Sequence, residues 1–240
     1  MERLKLETCF TPALFEPGLH SGSTVVIIDI LRATSSICTA FEHGAESIIP
    51  VAGVEEARTY KNRGYLVAAE RDGIILDFAD LGNSPFNFSR ENIRGKTIVY
   101  STTNGTGTIR MASSAGCIVI GSFLNLSSLC NWLIQGNQNV LLFCAGWKNR
   151  FNLEDTVCAG AIAERLLNSS GYSTICDSTT AAVDLWSVAK NDLRGYIEKA
   201  AHRNRLKKNG LDDCIDFCLT ADYTEKIPYI KNDILLSDIR

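Results

Sequence analysis

The sequence predicts an α/β fold of three layers, α/β/α, built on a mostly parallel or mixed sheet, with a helical C-terminal part. Three observations carry the prediction. Apolar, β-branched runs of strand length alternate with segments of helical period. Several segments between these runs are long enough to cross over between parallel strands. With 45% hydrophobic and 21% charged residues, the chain has the material for a sizeable core and the make-up of an ordinary globule.

In chain order, strands are expected at Thr24 to Asp29, Ser47 to Val51, Leu66 to Ala69, Lys96 to Ser101, Cys117 to Gly121 and Val140 to Ala145. The intervening helices are expected at Thr34 to His43, Val54 to Arg63, Thr106 to Ser114, Leu126 to Ile134 and Leu153 to Leu167. After Asn168 strand signals become few, and Thr179 to Ala189, Leu193 to Lys207 and Leu211 to Leu219 read as a helical cover. No internal repeat or Pro/Gly/Ser linker divides the chain. Residues 1–240 are therefore read as one compact domain, with two closely packed lobes, about 1–170 and 171–240, as the other division.

A formal charge of −3 argues against a nucleic-acid partner, since affinity for a phosphodiester backbone comes from a basic surface. The basic run Arg203 to Lys208 is interrupted by Asn204 and Leu206 and reads as a solvated helix face. Nine cysteines are an odd number in a long chain, and Met1-Glu2-Arg3-Leu4-Lys5 lacks the apolar stretch of a secretory leader. A reducing cytoplasm is expected, with most cysteines acting as small core residues. No uncharged apolar run approaches the roughly 20 residues of a membrane helix. A homodimer is expected, with the helical segment after Asn168 as a contact surface.

Four polar turns follow strands. At the first, Asp29 stands at the carboxyl edge of an apolar strand, where open α/β sheets bind ligands. Asp29 is a candidate Mg²⁺ ligand, Arg32 an oxyanion clamp, and Thr34 a hydroxyl donor; an Asp that caps the next helix, with Arg32 as its surface partner, explains the same residues. At the second, Glu70 is a candidate general acid or metal ligand, Arg71 a partner for a second anionic group, and Asn83 and Ser84 orienting groups. A charged hairpin turn and a proline-stopped loop are the structural alternative.

The third turn, Thr102-Thr103-Asn104-Gly105-Thr106, reads as a cradle of backbone amides for an oxyanion. It lacks the lysine and spacing of a Walker A loop, and an Asn-Gly turn with hydroxyl residues would look alike. The fourth begins at Cys144-Ala145-Gly146 and leads to Glu154 and Asp155 in the first helical turn. Either carboxylate would complete a hard-metal site with Asp29, whereas acidic residues there also complement the helix dipole. Cys144 and Arg150 also have the spacing of a thiolate phosphatase loop, although Trp147 and Lys148 stand where such a loop needs glycines. The histidines, His20, His43 and His202, are scattered outside these turns and support no imidazole metal site.

Together, Asp29-Ile30-Leu31-Arg32-Ala33-Thr34, Glu70-Arg71, Asp80-Leu81-Gly82-Asn83-Ser84-Pro85, Thr102-Thr103-Asn104-Gly105-Thr106, Cys144-Ala145-Gly146 and Glu154-Asp155 resemble the 2-phosphosulfolactate phosphatase family in order and spacing. The resemblance implies an α/β/α phosphomonoesterase that uses Mg²⁺ to remove phosphate from (2R)-2-phospho-3-sulfolactate, yielding 3-sulfolactate, a step of coenzyme M biosynthesis. The expected mechanism places Mg²⁺ on Asp29 with Glu154 or Asp155, and water attacks phosphorus in line. A phosphoaspartate route like that of haloacid dehalogenases lacks its second Asp, because Leu31 occupies that position. The competing readings are a Cys144-based phosphatase for another phosphorylated acid, a regulatory module that binds a phosphorylated metabolite without turnover, and a phosphotransferase.

Overall fold

Thr24-Val25-Val26-Ile27-Ile28 has an apolar residue at every position after the first, the pattern of a strand covered on both faces. All five are buried. Val26 and Ile28 pack into one core while Val25 and Ile27 pack into another, as the two-residue period of a strand requires. Helices therefore lie on both sides of the sheet.

The computed structural model describes residues 3–237, so Met1 and Glu2 of the leader argument lie outside the described residues. The order is β1 (Leu4–Cys9), β2 (Thr24–Ile28), α1 (Ala33–Glu42), β3 (Ser47–Pro50), α2 (Val54–Asn62), β4 (Leu66–Arg71) and β5 (Ile74–Ile75). It continues with α3 (Arg90–Ile93), β6 (Thr97–Ser101), α4 (Gly105–Met111), β7 (Cys117–Gly121), α5 (Leu126–Gly136), β8 (Val140–Cys144) and α6 (Leu153–Asn168). The C-terminal part contains β9 (Tyr172–Ser173), α7 (Asp177–Ala189), α8 (Leu193–Ile197), α9 (Ala201–Lys208), α10 (Ile215–Cys218), β10 (Tyr229–Lys231) and β11 (Ile234–Leu236).

These strands form one mixed sheet in the order β5-β4-β6-β3-β11-β10-β7-β2-β8-β1-β9. Strands β4, β6 and β3 make one parallel block, and β7, β2, β8, β1 and β9 make a second. The antiparallel hairpin β10–β11 joins the blocks through one residue pair on each side, Tyr229 with Val119 and Leu235 with Ile48. Side chains of both blocks share a core with α1, and every α1 residue from Ala33 to Phe41 is buried. The polar members of this helix point inward only because each has a partner: Ser35 Oγ donates to Ile30 O (2.9 Å), Ser36 Oγ to Asn83 O (2.9 Å) and Thr39 Oγ1 to Ser35 O (2.9 Å). Unpaired, each would carry a desolvation penalty of about 1–3 kcal/mol.

On the other face α6 packs closely on α7. A Cβ on Gly160 would stand 2.0 Å from Ala182 O, so the helices meet only because that position has no side chain.

The C-terminal part departs from the expected all-helical cover. Its hairpin β10–β11 turns at Asn232 and Asp233, both with positive φ (51° and 61°), the geometry of a two-residue hairpin turn. The continuous helix expected from Leu193 to Lys207 is broken into α8 and α9, because Ala200 adopts an extended conformation (φ −65°, ψ 134°). Of Leu211 to Leu219 only α10 is helical. Strand β1 had no counterpart among the expected elements, and β4 runs two residues further than expected, carrying Glu70 and Arg71 into the sheet.

Candidate active site

Strand β2 delivers Asp29 to a sharp turn before α1. Thr34 N–H donates to Asp29 O (2.8 Å), and Asp29 N–H donates to Thr34 Oγ1 (3.2 Å). Thr34 thus clasps the turn, its buried hydroxyl accepting from Asp29 N–H. Asp29 and Arg32 are both buried. The Arg32 guanidinium donates to Gly73 O (3.4 Å), and no carboxylate among the described residues lies within ion-pair distance of it. The packing is tight: a Cβ on Gly105 would meet Ala33 Cβ at 2.8 Å and Asp29 Oδ2 at 3.0 Å. Glycine at this position lets the β6–α4 loop rest against the Asp29 carboxylate.

The β4–β5 hairpin supplies Glu70, turning through Asp72 and Gly73, both with positive φ (55° and 87°). Glu70 staples this hairpin to the β6–α4 loop. Gly73 N–H donates to its Oε2 (2.6 Å), Thr103 N–H to its Oε1 (2.7 Å), and Thr103 Oγ1 to Oε2 (3.1 Å). With both oxygens engaged, Glu70 holds the wall of the cleft together. Arg71, the expected partner of a second anionic group, is turned away: it donates to Glu70 O, Ala52 O and Ser101 Oγ. One of these contacts ties the hairpin to β6 at Ser101, and another reaches Ala52 in the β3–α2 loop.

The oxyanion cradle is narrower than expected. The amides of Thr102 and Thr106 donate to each other's hydroxyls (3.2 Å each), and the Thr103 amide is on Glu70. Of the five residues, Asn104 and Gly105 retain amides not spent in this way; the Asn104 side chain accepts from Lys148 N–H (3.1 Å) and lines the cleft. Asn83 lines it too, held by the Tyr100 hydroxyl, which donates to its Oδ1. Ser84 is buried beside it, and its amide donates to Asn87 Oδ1 (3.3 Å); it contributes to the loop and not to the cavity wall.

At the end of β8 the neighbours Glu154 and Asp155 diverge. Asn152 caps α6 by accepting from Asp155 N–H (3.2 Å). Asp155 is fully buried and accepts from Ile30 N–H on Oδ1 (2.9 Å) and from Gly146 N–H on Oδ2 (3.2 Å). It ties the β2 and β8 turns together, and its oxygens are taken. Gly146 has φ +59°, and a Cβ there would meet Arg150 O at 2.3 Å, so it serves the turn. Cys144 has no exposed surface, and burial pushes its thiol well above its ordinary value, with the Asp155 charge adding to the effect. Cys144 thus lies outside the lining of the cleft, where burial favours the neutral thiol.

Glu154 instead points to a residue that the sequence reading set aside. His202, on α9, brings Nδ1 within 2.8 Å of Glu154 Oε1, while Glu154 Oε2 is buried without a hydrogen-bond partner. The His202 ring also lies against Trp147 (centroids 5.1 Å apart). His202, Leu206 and Trp147 line the cleft together with Asp29, Arg32, Glu70, Gly73, Asn83 and Asn104. The basic run is not a uniformly solvated face either. Arg203 is buried and paired with Glu198 (3.2 Å) and Asp212 (3.1 Å), and the Arg205 guanidinium stacks over Trp147 at 4.2 Å. The one available signal was the spacing of His202, Arg205, Leu206 and Asn209, an i, i+3, i+4, i+7 stripe.

Electrostatically, the cleft floor is acidic and starved of solvent. Burial raises Asp29 from 3.8 to about 6; His202 opposes this, and the neighbouring charges of Glu70 and Glu154 add to it. Asp155 is raised well above its ordinary value, first by burial and then by Asp29 and Glu154. No group of three or more His, Cys, Asp or Glu side chains forms a ready-made metal cluster among the described residues. The unpartnered Glu154 oxygen and the desolvated Asp29, on which the Glu154 charge acts, are nonetheless donors of the type a hard cation takes. Mg²⁺ in particular is commonly held by one or two carboxylates, with waters and substrate phosphate completing its shell.

The family model of 2-phosphosulpholactate phosphatase matches residues 9–233. A probable 2-phosphosulfolactate phosphatase of Thermotoga maritima is 39% identical over 213 residues, covering 89% of this chain and 91% of its own length. One of Caldanaerobacter subterraneus subsp. tengcongensis is 36% identical over 215 residues, 88% of this chain and 89% of its own. One of Clostridium novyi is 35% identical over 228 residues, 94% and 96% respectively.

Proposed function

Because the chain belongs to the 2-phosphosulfolactate phosphatase family, we propose that it is a Mg²⁺-dependent phosphomonoesterase that converts (2R)-2-phospho-3-sulfolactate to 3-sulfolactate and phosphate. The observation that carries the reading is the pairing of an unpartnered buried Glu154 oxygen with an Asp29 that burial holds at about 6. A desolvated carboxylate costs stability, and such groups concentrate at functional sites.

Asp29 and Glu154 would hold Mg²⁺. When bound, it supplies positive charge that offsets the carboxylates and polarises a phosphoryl oxygen. His202 keeps Glu154 in place through Nδ1. Arg32, a guanidinium without a carboxylate partner, clamps phosphoryl oxygens in its planar fork, and the unspent Asn104 and Gly105 amides are further donors. Glu70 and Asp155 keep the hairpin and the two strand turns in register, so that these groups converge on phosphorus and favour in-line attack by water. Leu31, Trp147 and Leu206 make the cleft less wet, which strengthens each charge interaction in it.

We take the enzyme to act in the cytoplasm, on a small anionic substrate and as a homodimer, in the route that leads to coenzyme M. The nine cysteines are free thiols, which supports a reducing compartment, and no helix among the described residues is long and apolar enough to cross a membrane.

Phosphate release from racemic 2-phospho-3-sulfolactate, with Mg²⁺ and with EDTA, tests this reading. Rapid release that EDTA abolishes and added Mg²⁺ restores is expected. Release indifferent to EDTA would remove the metal from the mechanism, and no release would leave a sensor of phosphorylated metabolites.

A further inference from the structure

The innermost cavity, bounded by Asp29, Arg32, Glu70 and Asn104, holds only about 20 Å³, room for about one water-sized guest. It shares the walls Gly73, Trp147, His202 and Leu206 with an outer chamber of about 370 Å³, whose further walls are Asp72, Lys148, Arg205, Lys208 and Asn209. A phosphorylated acid of three carbons does not fit in the inner space. The part of the substrate that is not transferred must occupy the outer one.

The outer chamber is cationic where the inner one is acidic. Helix α9 turns His202, Arg205, Leu206 and Asn209 toward it on one face, the spacing at which helical side chains align. Arg205 stacks over Trp147, and its Nε is buried without a hydrogen-bond partner. No carboxylate among the described residues lies within ion-pair distance of it, whereas Arg203, two positions earlier, has two. Lys148 also lies over the Trp147 ring, at 5.3 Å, with its ammonium 2.7 Å from Asp72. A guanidinium that lines the chamber, stacks on an indole and lacks a carboxylate partner is suited to receive an anion there.

The substrate of the proposed reaction carries its carboxylate on the carbon that bears the phosphate, so that group must stay near the phosphoryl site and Arg32. Its sulfonate is one carbon further out. We infer that Arg205, stacked on Trp147 and assisted by Lys148, forms the subsite that holds the sulfonate and thereby selects sulfonated over sulfonate-free phosphoacids. The inference rests on the function proposed above. Burial lowers the Arg205 guanidinium, while Glu154 and Asp72 counter this, in keeping with a cation that lacks its counter-ion.

The test compares kcat/KM for 2-phospho-3-sulfolactate and for 2-phospholactate in wild type, Arg205→Gln and Arg205→Lys, at saturating Mg²⁺. The preference of wild type for the sulfonated substrate should fall about 10- to 100-fold in Arg205→Gln, the worth of a lost charge-assisted contact. The loss should appear in KM more than in kcat, and Arg205→Lys should recover part of it. An unchanged preference ratio overturns the inference.

Should wild type turn over neither substrate, the function proposed above fails first, and the subsite is judged by binding alone. Tryptophan fluorescence is then followed while 3-sulfolactate or, separately, inorganic sulfate is added to the full chain. A saturable change with 3-sulfolactate that Trp147→Phe removes and Arg205→Gln weakens supports the subsite. No change in wild type, or an equal change in Arg205→Gln, overturns it. Where the Arg205 variants do not fold, a saturable wild-type change that Trp147→Phe removes supports the subsite, and its absence or its persistence in Trp147→Phe overturns it.

Discussion

The floor and the roof of the cleft solve opposite problems. On the floor, formed by the turns after β2, β4, β6 and β8, several polar groups are fully engaged within the chain. Glu70 accepts three hydrogen bonds, Asp155 takes the Ile30 and Gly146 amides, and Thr102 and Thr106 satisfy each other. On the roof, formed by α9 with Trp147 and Lys148, Arg205 remains unmatched. Where the two surfaces meet, a Glu154 oxygen is left without a donor. Residues with a full set of partners hold the shape, whereas a buried polar atom left without one asks for an explanation. The neighbours Glu154 and Asp155 show the distinction within one helical turn.

The largest effect expected of this contrast is at Asp29. Asp29→Asn should lower Mg²⁺-dependent phosphate release on the order of 10³-fold, yet stabilise the metal-free protein. A carboxyl raised from 3.8 to about 6 by burial contributes stability that is present below about pH 3.8 and lost as pH rises through 6. The wild type should therefore fall behind Asp29→Asn by up to about 3 kcal/mol between pH 4 and pH 7. Calorimetric melting at pH 4.5 and 7.5 in EDTA checks this; a gap that does not widen with pH would place Asp29 among the satisfied floor residues.

Asp155→Ala should act through the fold. It leaves two buried amides without an acceptor, a loss of about 2–5 kcal/mol visible as a fall in denaturant midpoint. Activity lost at unchanged stability would instead make Asp155 a metal ligand and erase the contrast with Glu154. His202→Ala should lower kcat/KM by about tenfold, the value of one oriented hydrogen bond to a charged group, with a smaller stability loss than Asp155→Ala; a melting loss as large as that of Asp155→Ala would move the roof histidine into the structural class. The smallest effect is expected of Cys144→Ala, a small buried hydrophobe exchanged for another, with phosphate release within about threefold of wild type. A collapse of activity in the soluble variant would return Cys144 to the mechanism.

Much of the floor was legible in the sequence because it is local. An apolar strand that ends in Asp29, or in Ser101 before Thr102, must surface at a sheet edge, and the residues just beyond it must lie there. Helices α1, α2, α5 and α6 were readable from their period for the same reason. The hairpin β10–β11 was also written locally, in Tyr229-Ile230-Lys231-Asn232-Asp233-Ile234-Leu235-Leu236, but the helical signals around it masked a strand pair only three residues long on each side. Arg71 and Cys144 lay where floor residues were expected, yet one strand position or full burial turned each away from the cleft.

By itself, the sequence determined the α/β class, the strand ends and the set of charged residues that they carry, because strand periodicity and turn chemistry act over a few residues. The tertiary structure decided which of those charges remain unspent and which distant residues join them. Glu154 and His202 are 48 positions apart, and the α9 stripe faces the cleft only because Arg203 is anchored to Glu198 and Asp212 while Leu206 is buried in the core. That rotation of the helix is set by packing and buried charge pairing, which no local pattern encodes.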